Sequence, residues 1–145
     1  MAESGEITTT LYRDAVKKSP RRPKFGNRNR DYNGDRYDSG MEAQYASCLD
    51  MFKRIVEPKE KVVRYERQIK MALSAYGVHI CNHYVDFRVW YADGHDEYHE
   101  IKGWPDKVYP IKRKLMLAQY QDICYRVFEL KGGEICEKQN FSRHR

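Results

Sequence analysis

Asp86, Glu100 and Lys102 are the residues of this chain whose types and spacing best fit a chemical task. They lie in the run VDFRVWYADGHDEYHEIKG, residues 85–103, where two apolar-rich segments flank Ala92-Asp93-Gly94-His95. That pattern predicts a β-hairpin. Side chains alternate faces along a strand, so Glu100 and Lys102 share a face while Ile101 turns away. Asp86 joins them if the register sets it opposite Lys102, as a three-residue loop Asp93-Gly94-His95 would do. Two carboxylates and an ammonium on one patch could bind a divalent metal and hold a water beside it.

Such a patch suits phosphodiester hydrolysis. That reaction needs an in-line water, charge stabilisation at phosphorus and help for the leaving oxygen. Mg²⁺ on one or two carboxylates supplies the first two, and a second metal can supply the third. On this reading Asp86 and Glu100 are metal ligands, the Ile101 carbonyl adds an oxygen, and Lys102 orients the water and offsets phosphate charge. Glu42, near the start of an upstream helix, is a further candidate for catalytic acid and metal ligand. The plain alternative is a cross-strand ion-pair cluster on a solvated face, with Glu42 only capping its helix. The hairpin context, Gly103 directly after Lys102 and the acid upstream together favour the metal site.

The elements that must position these groups follow from periodicity. Ser39-x-x-Glu42 fits a capping box and opens a helix predicted to run to Val56, with Pro58 beyond it. Met41, Tyr45, Cys48, Leu49, Phe52 and Ile55 form its buried stripe. Residues 61–80 alternate as a long strand with a bend or break expected at Ser74 to Gly77. After the hairpin, Trp104-Pro105-Asp106 is a loop and Pro110 suits the first turn of a second helix. Ile111, Leu115 and Ala118 are expected on that helix's apolar side. A last strand spans residues 123–130, and Lys131-Gly132-Gly133 turns the chain. The order predicts an α/β domain with a mixed sheet.

Residues 1–38 are polar without a hydrophobic period and are expected to form a flexible basic arm ahead of a domain at 39–145. Lys17, Lys18, Arg21, Arg22, Lys24, Arg28 and Arg30 follow one another with no acid between them. They could lie on phosphates and release counterions, or simply be solvated. The net charge of +6 agrees with a polyanionic partner. Lys107, Lys112, Arg113 and Lys114 are candidate phosphate contacts near the hairpin. The twelve tyrosines argue against a wholly disordered chain. Cys48, Cys81, Cys124 and Cys136 show no close pairing, which fits reduced thiols in a cytoplasm. No apolar run approaches the ~20 residues of a membrane span, so no membrane partner is expected.

Other candidates read more blandly. His79, Cys81 and His83 share a strand face and could bind zinc, but no fourth ligand is in sight, and buried or hydrogen-bonded side chains explain them as well. His95 and His99 lie near the hairpin, and a surface role is expected for His99 because it alternates away from Glu100. Trp90 and Tyr98 could stack on an unpaired base, and packing under the second helix is the plainer expectation.

Taken together, these motifs resemble the PD-(D/E)XK nuclease superfamily of restriction-endonuclease-like folds, with Val85-Asp86 in place of its usual Pro-Asp. Within it the chain looks most like the junction-resolving endonuclease I of T-odd podophages and related phage resolvases. Ser39-Gly40-Met41-Glu42 is similar to that family's Ser-Gly-Leu-Glu helix start, which carries a catalytic acid. Tyr65-Glu66 matches a Tyr-Glu on its bridging strand, and Asn82-His83-Tyr84 resembles its approach to the catalytic Asp. Glu100-Ile101-Lys102-Gly103 is similar to its Glu-Thr-Lys-Gly. Lys24-Phe25-Gly26-Asn27 with Tyr37-Asp38-Ser39 also resembles a group of small phage nucleases.

The similarity covers roughly residues 37–130. It implies a restriction-endonuclease-like mixed β-sheet flanked by helices, with 39–145 as the nuclease domain and a homodimer that can exchange its long strand. It also implies Mg²⁺-dependent cleavage of branched DNA by a phage protein in the host cytoplasm, with Mn²⁺ able to substitute. The alternatives are a nicking or homing endonuclease on linear duplex, or a silent DNA-binding or inhibitory protein of the same fold.

Overall fold

The computed structural model describes residues 30–37, 40–102, 106–131 and 134–141. The chain runs β1 (Arg30–Tyr32), β2 (Asp35–Tyr37), α1 (Gly40–Phe52), β3 (Val62–Ala75), β4 (Val78–Tyr91), β5 (Asp96–Lys102), α2 (Tyr109–Gln119), β6 (Tyr125–Lys131) and β7 (Glu134–Asn140). β1 and β2 pair by themselves, and the others form one sheet in the order β3-β4-β5-β6-β7. Within it β5 and β6 are parallel, with α2 as their crossover, and every other neighbouring pair is antiparallel. The expected α/β class and mixed sheet are therefore observed.

Two apolar clusters place the helices on opposite faces. Tyr45, Cys48, Leu49 and Phe52 of α1 pack with Phe87, Val89, Ile101 and Phe128. Met116 of α2 packs with Tyr98, Tyr125 and Val127. Phe128 and Val127 are neighbours on β6, so alternation sends them to opposite sides. The result is helix, sheet, helix, a layering that covers the centre of a mixed sheet. Each fully buried Leu or Phe here contributes on the order of 1.5–3 kcal/mol.

The β3–β4 ribbon does not keep one face throughout. Tyr65 and Phe87 join the α1 cluster, whereas Ile69, Met71 and Val85 join the α2 cluster, although all are odd-numbered. The switch falls at Gln68, whose backbone is left-handed at φ 52° within the strand. For a residue with a Cβ this conformation costs on the order of 1–3 kcal/mol. The ribbon rolls over there, opposite Asp86.

The break expected in the 61–80 segment at Ser74 to Gly77 is present: Tyr76-Gly77, with φ 50° and 77°, turns the chain back, and β4 begins at Val78. The ribbon therefore returns on itself within one chain. Several other expectations need correcting. α1 ends at Phe52 rather than Val56. On α2 the buried residues are Tyr109 and Met116, while Ile111 is 68% exposed. Residues 30–37, read as part of the arm, form a hairpin through Asn33-Gly34, and Tyr37 is buried in the α1 cluster. β7 had no counterpart in the periodicity. Ser39 and the basic residues Lys17, Lys18, Arg21, Arg22, Lys24 and Arg28 lie outside the described residues.

Candidate active site

The site lies where the sheet forks. β4 and β5 pair from Trp90↔Asp96 to Phe87↔His99 and no further. Beyond that point β4 continues with β3, and β5 continues with β6 through Lys102. The Ile101 amide, one of the donors freed by the fork, is taken by the Asp86 carboxylate at 2.8 Å. Extending the register sets Asp86 opposite Glu100, not Lys102 as the sequence suggested. The loop is one residue earlier than expected: the Tyr91 amide donates to the His95 carbonyl at 3.0 Å, which encloses Ala92, Asp93 and Gly94. Gly94, at φ 96°, takes the last loop position, where a left-handed residue is needed. The shift is a whole pleat repeat, so Asp86, Glu100 and Lys102 still converge.

Glu100 is 2% exposed and sits at the centre of this group. Its Oε1 receives the Lys102 ammonium at 2.7 Å. Its Oε2 has no hydrogen-bond partner and faces His83 Nε2, also without one, at 3.4 Å. Tyr109 packs against the same group, with the Lys102 ammonium 3.8 Å over its ring and the His83 ring centroid 5.8 Å away. Tyr109 and Tyr125 share a hydroxyl–hydroxyl hydrogen bond of 2.7 Å. Burial and then the Glu100 charge raise both phenols, Tyr109 to about 12.

Asp86 carries the clearest electrostatic mark. Burial first, then the Glu100 charge and, less, the Glu42 charge push its carboxyl up to about 8. The Ile101 amide and Lys102 pull the other way and lose. Asp86 Oδ1 is left with only the Gln68 amide, at 3.4 Å. Carboxylates crowded about a single lysine form a place where a divalent cation would be stabilised. Among the described residues no group of three or more His, Cys, Asp or Glu side chains stands ready to hold a metal ion. Mg²⁺ does not need one, because it is bound by one or two carboxylates and retains several waters. The orphaned Glu100 oxygen and the raised Asp86 carboxyl fit such an ion.

Glu42, in the first turn of α1, is near enough for its charge to act on Asp86 in the same chain. Strand exchange is therefore not required to bring it to the site. Lys107 and Lys114 are exposed. Lys112 instead donates to the Asn82 carbonyl at 3.1 Å, and Arg113 donates to Gln139 Oε1 at 3.0 Å while packing on Phe141. Arg30 opens β1.

The histidines depart most from expectation. His79 is exposed and paired with Asn82 Oδ1 at 3.0 Å, while His83 turns inward, so with Cys81 they do not gather as a zinc set. His99, assigned to the surface by alternation, is fully buried behind the site. Its ring lies between the Tyr45 hydroxyl and Glu97 Oε2, each at 2.7 Å. Burial lowers its pKa, so the neutral ring donates from Nε2 to Glu97 and accepts from Tyr45 at Nδ1. Arg126 then bridges Glu97 at 3.0 Å to Glu137 at 2.8 Å. Glu97 remains ionised: burial pushes it up, but hydrogen bonds from His95 and His99 and the Arg126 charge outweigh that. This network fixes β5 from behind. Alternation places His99 opposite Glu100 correctly, and the error lay in taking that opposite face for solvent.

Tyr98 packs under α2 as expected, with Met116. Trp90 does not: the Arg64 and Arg88 guanidiniums lie 3.6 and 4.7 Å from its ring centroid. Among the described residues no helix is long and apolar enough to cross a membrane. Comparison with curated proteins and with solved structures gives no match. One family model does match, over residues 22–132, a span that holds Glu42, His83, Asp86, Glu100 and Lys102. The chain belongs to the family described as protein of unknown function (DUF1064).

Proposed function

We propose that this protein is a metal-dependent endodeoxyribonuclease that hydrolyses DNA phosphodiester bonds, using a divalent ion, Mg²⁺ or Mn²⁺, and acting on branched DNA as a homodimer. The observation that carries the reading is the fork, where Asp86, Glu100 and Lys102 meet with one buried carboxylate oxygen unpartnered. Bound there, a divalent ion would polarise the phosphate and lower the pKa of an attacking water. Asp86 and Glu100 would hold it, with the Ile101 carbonyl on the same strand and Glu42 adding negative charge from α1.

The chain's own groups then have defined tasks. The Ile101 amide fixes the orientation of Asp86. Glu100 and the Tyr109 ring hold the Lys102 ammonium in place, where it can offset phosphate charge and orient water. Fixed donors facing a charge that develops in the transition state are the efficient arrangement. A two-fold dimer would present two such sites, which suits paired cuts at a branch point.

The test is purified protein with Mg²⁺, with and without EDTA, on labelled four-way junction, flap, linear duplex and single strand of matched sequence. Junction cleavage well ahead of linear duplex, abolished by EDTA, is the expected result. Cleavage fixed to one sequence of linear duplex would move the assignment to a nicking or homing enzyme. Binding without cleavage under any divalent ion would leave a silent DNA-binding protein.

A further inference from the structure

We infer that His83 is a nitrogen ligand of the metal site, and that the site therefore selects a Mn²⁺-class ion over Mg²⁺. This rests on the metal reading of Asp86 and Glu100 but goes beyond it, since that reading asks only for oxygen ligands.

Three observations carry it. His83 is 6% exposed and Glu100 is 2% exposed, and His83 Nε2 and Glu100 Oε2 are both without hydrogen-bond partners. Groups buried in this way ordinarily pair, so two orphans facing each other call for a common partner. Their separation is 3.4 Å. Neighbouring ligands on an octahedral ion with bonds of ~2.1 Å stand roughly 3 Å apart, so a shared ion needs only a small inward adjustment. The other Glu100 oxygen is already occupied by Lys102 at 2.7 Å, which leaves Oε2 as the oxygen available to a cation.

The backbone explains how His83 gets there. On a regular ribbon His83 would share a face with Phe87, which packs toward α1. The roll at Gln68 turns the odd-numbered residues before Asp86 toward the α2 side, where Glu100 and Tyr109 lie. Asp86 is at the roll itself, with Oδ1 held only by Gln68 at 3.4 Å. Asp86 and Lys102 are partly exposed whereas Glu100 and His83 are buried, so the solvent-facing side of the group is the Asp86 side.

An imidazole among carboxylates changes which ion is preferred. Mg²⁺ favours oxygen ligands and gains little from nitrogen, whereas imidazole suits first-row transition ions, among which Mn²⁺ also takes carboxylate and water. The histidine thus acts on metal choice without altering the residues that handle the phosphate.

The experiment uses the full chain without DNA. Mn²⁺ and Mg²⁺ are titrated separately by calorimetry, and the Mn²⁺ complex is examined by pulsed electron paramagnetic resonance for ¹⁴N coupling. Wild type is expected to bind Mn²⁺ more tightly than Mg²⁺ and to show ¹⁴N coupling. His83→Gln should lose the coupling and at least the roughly 10-fold in Mn²⁺ affinity that even an outer-shell partner is worth, with Mg²⁺ affinity little changed. Mn²⁺ binding that Asp86→Asn abolishes, but that shows no ¹⁴N coupling in wild type, would overturn the histidine ligand and leave the metal site standing. That outcome is read on wild type, so it does not depend on the variant folding. Failure of wild type to bind either ion would overturn both.

Discussion

Asp86 is the residue on which the forces at the site act most visibly. Its folded pKa of about 8 lies above the ordinary carboxylate value of 3.8, because burial and the Glu100 charge outweigh the Ile101 amide and Lys102. The unfolded chain releases this proton near pH 4, and the folded chain retains it to about pH 8. Asp86 therefore favours folding fully below about pH 4, and that contribution is lost as pH rises through the window to 8. In EDTA, Asp86→Asn should melt progressively higher than wild type as pH rises across that window. Thermal melts at pH 5 and pH 8 give the comparison, and divalent ion should narrow the gap by binding the wild-type carboxylate. An equal difference at both pH values would mean that the carboxyl is not strained by its surroundings. Asp86, Glu100 and Lys102 were all legible in the sequence because alternation needs only parity. His83 was not, since its approach to Glu100 depends on a backbone roll that no side-chain period records.

At the scale of elements, the fork and the roll do the positioning. The fork arises because β5 leaves β4 after Phe87↔His99 and continues with β6. The roll depends on Gln68 at φ 52°, a conformation that β-branched residues resist strongly. Gln68→Val should thus lower stability by about 1–3 kcal/mol, while Gln68→Gly should cost little or stabilise slightly. Denaturant unfolding of the two variants measures this, and equal stability for both would mean the left-handed residue imposes no strain. The long amphipathic elements were readable: α1 buries Tyr45, Cys48, Leu49 and Phe52 as its period required. What escaped was short or polar. β1 and β2 are three-residue strands on an Asn33-Gly34 turn whose signal was present but poorly flanked. β7 buries only Ile135 among its residues, too little for a period to register. Tyr76 adopts a positive φ that its residue type rarely takes, so the break at Ser74 to Gly77 could be anticipated but not its form as a tight turn.

Over the whole molecule the charge is +6, and an acid-free run rich in basic residues, Lys17 to Arg28, precedes β1. On the proposed reading that run lies on DNA phosphates and the folded body supplies the chemistry. Deleting residues 1–29, which leaves the β1–β2 hairpin intact, should weaken DNA binding and flatten the slope of log affinity against log salt. The slope is expected to change by roughly 0.9 for each phosphate that the shortened chain no longer neutralises. Cleavage at saturating DNA should change little. Binding measured across a salt series checks this, and an unaltered slope would reduce the run to a solubilising segment.

The central claim is that Asp86, Glu100 and Lys102 act as one catalytic unit at the fork, and Lys102 tests it most directly. Its side chain is 26% exposed at the mouth of the site, so removing it leaves both apolar clusters intact. The measurement is the single-turnover rate of cutting a labelled four-way junction, with divalent ion and protein in excess, for wild type and Lys102→Ala. A fall of at least about 10²-fold, with junction affinity retained within a few-fold, is the expected result. A variant that binds the junction and cuts it at the wild-type rate would contradict the account.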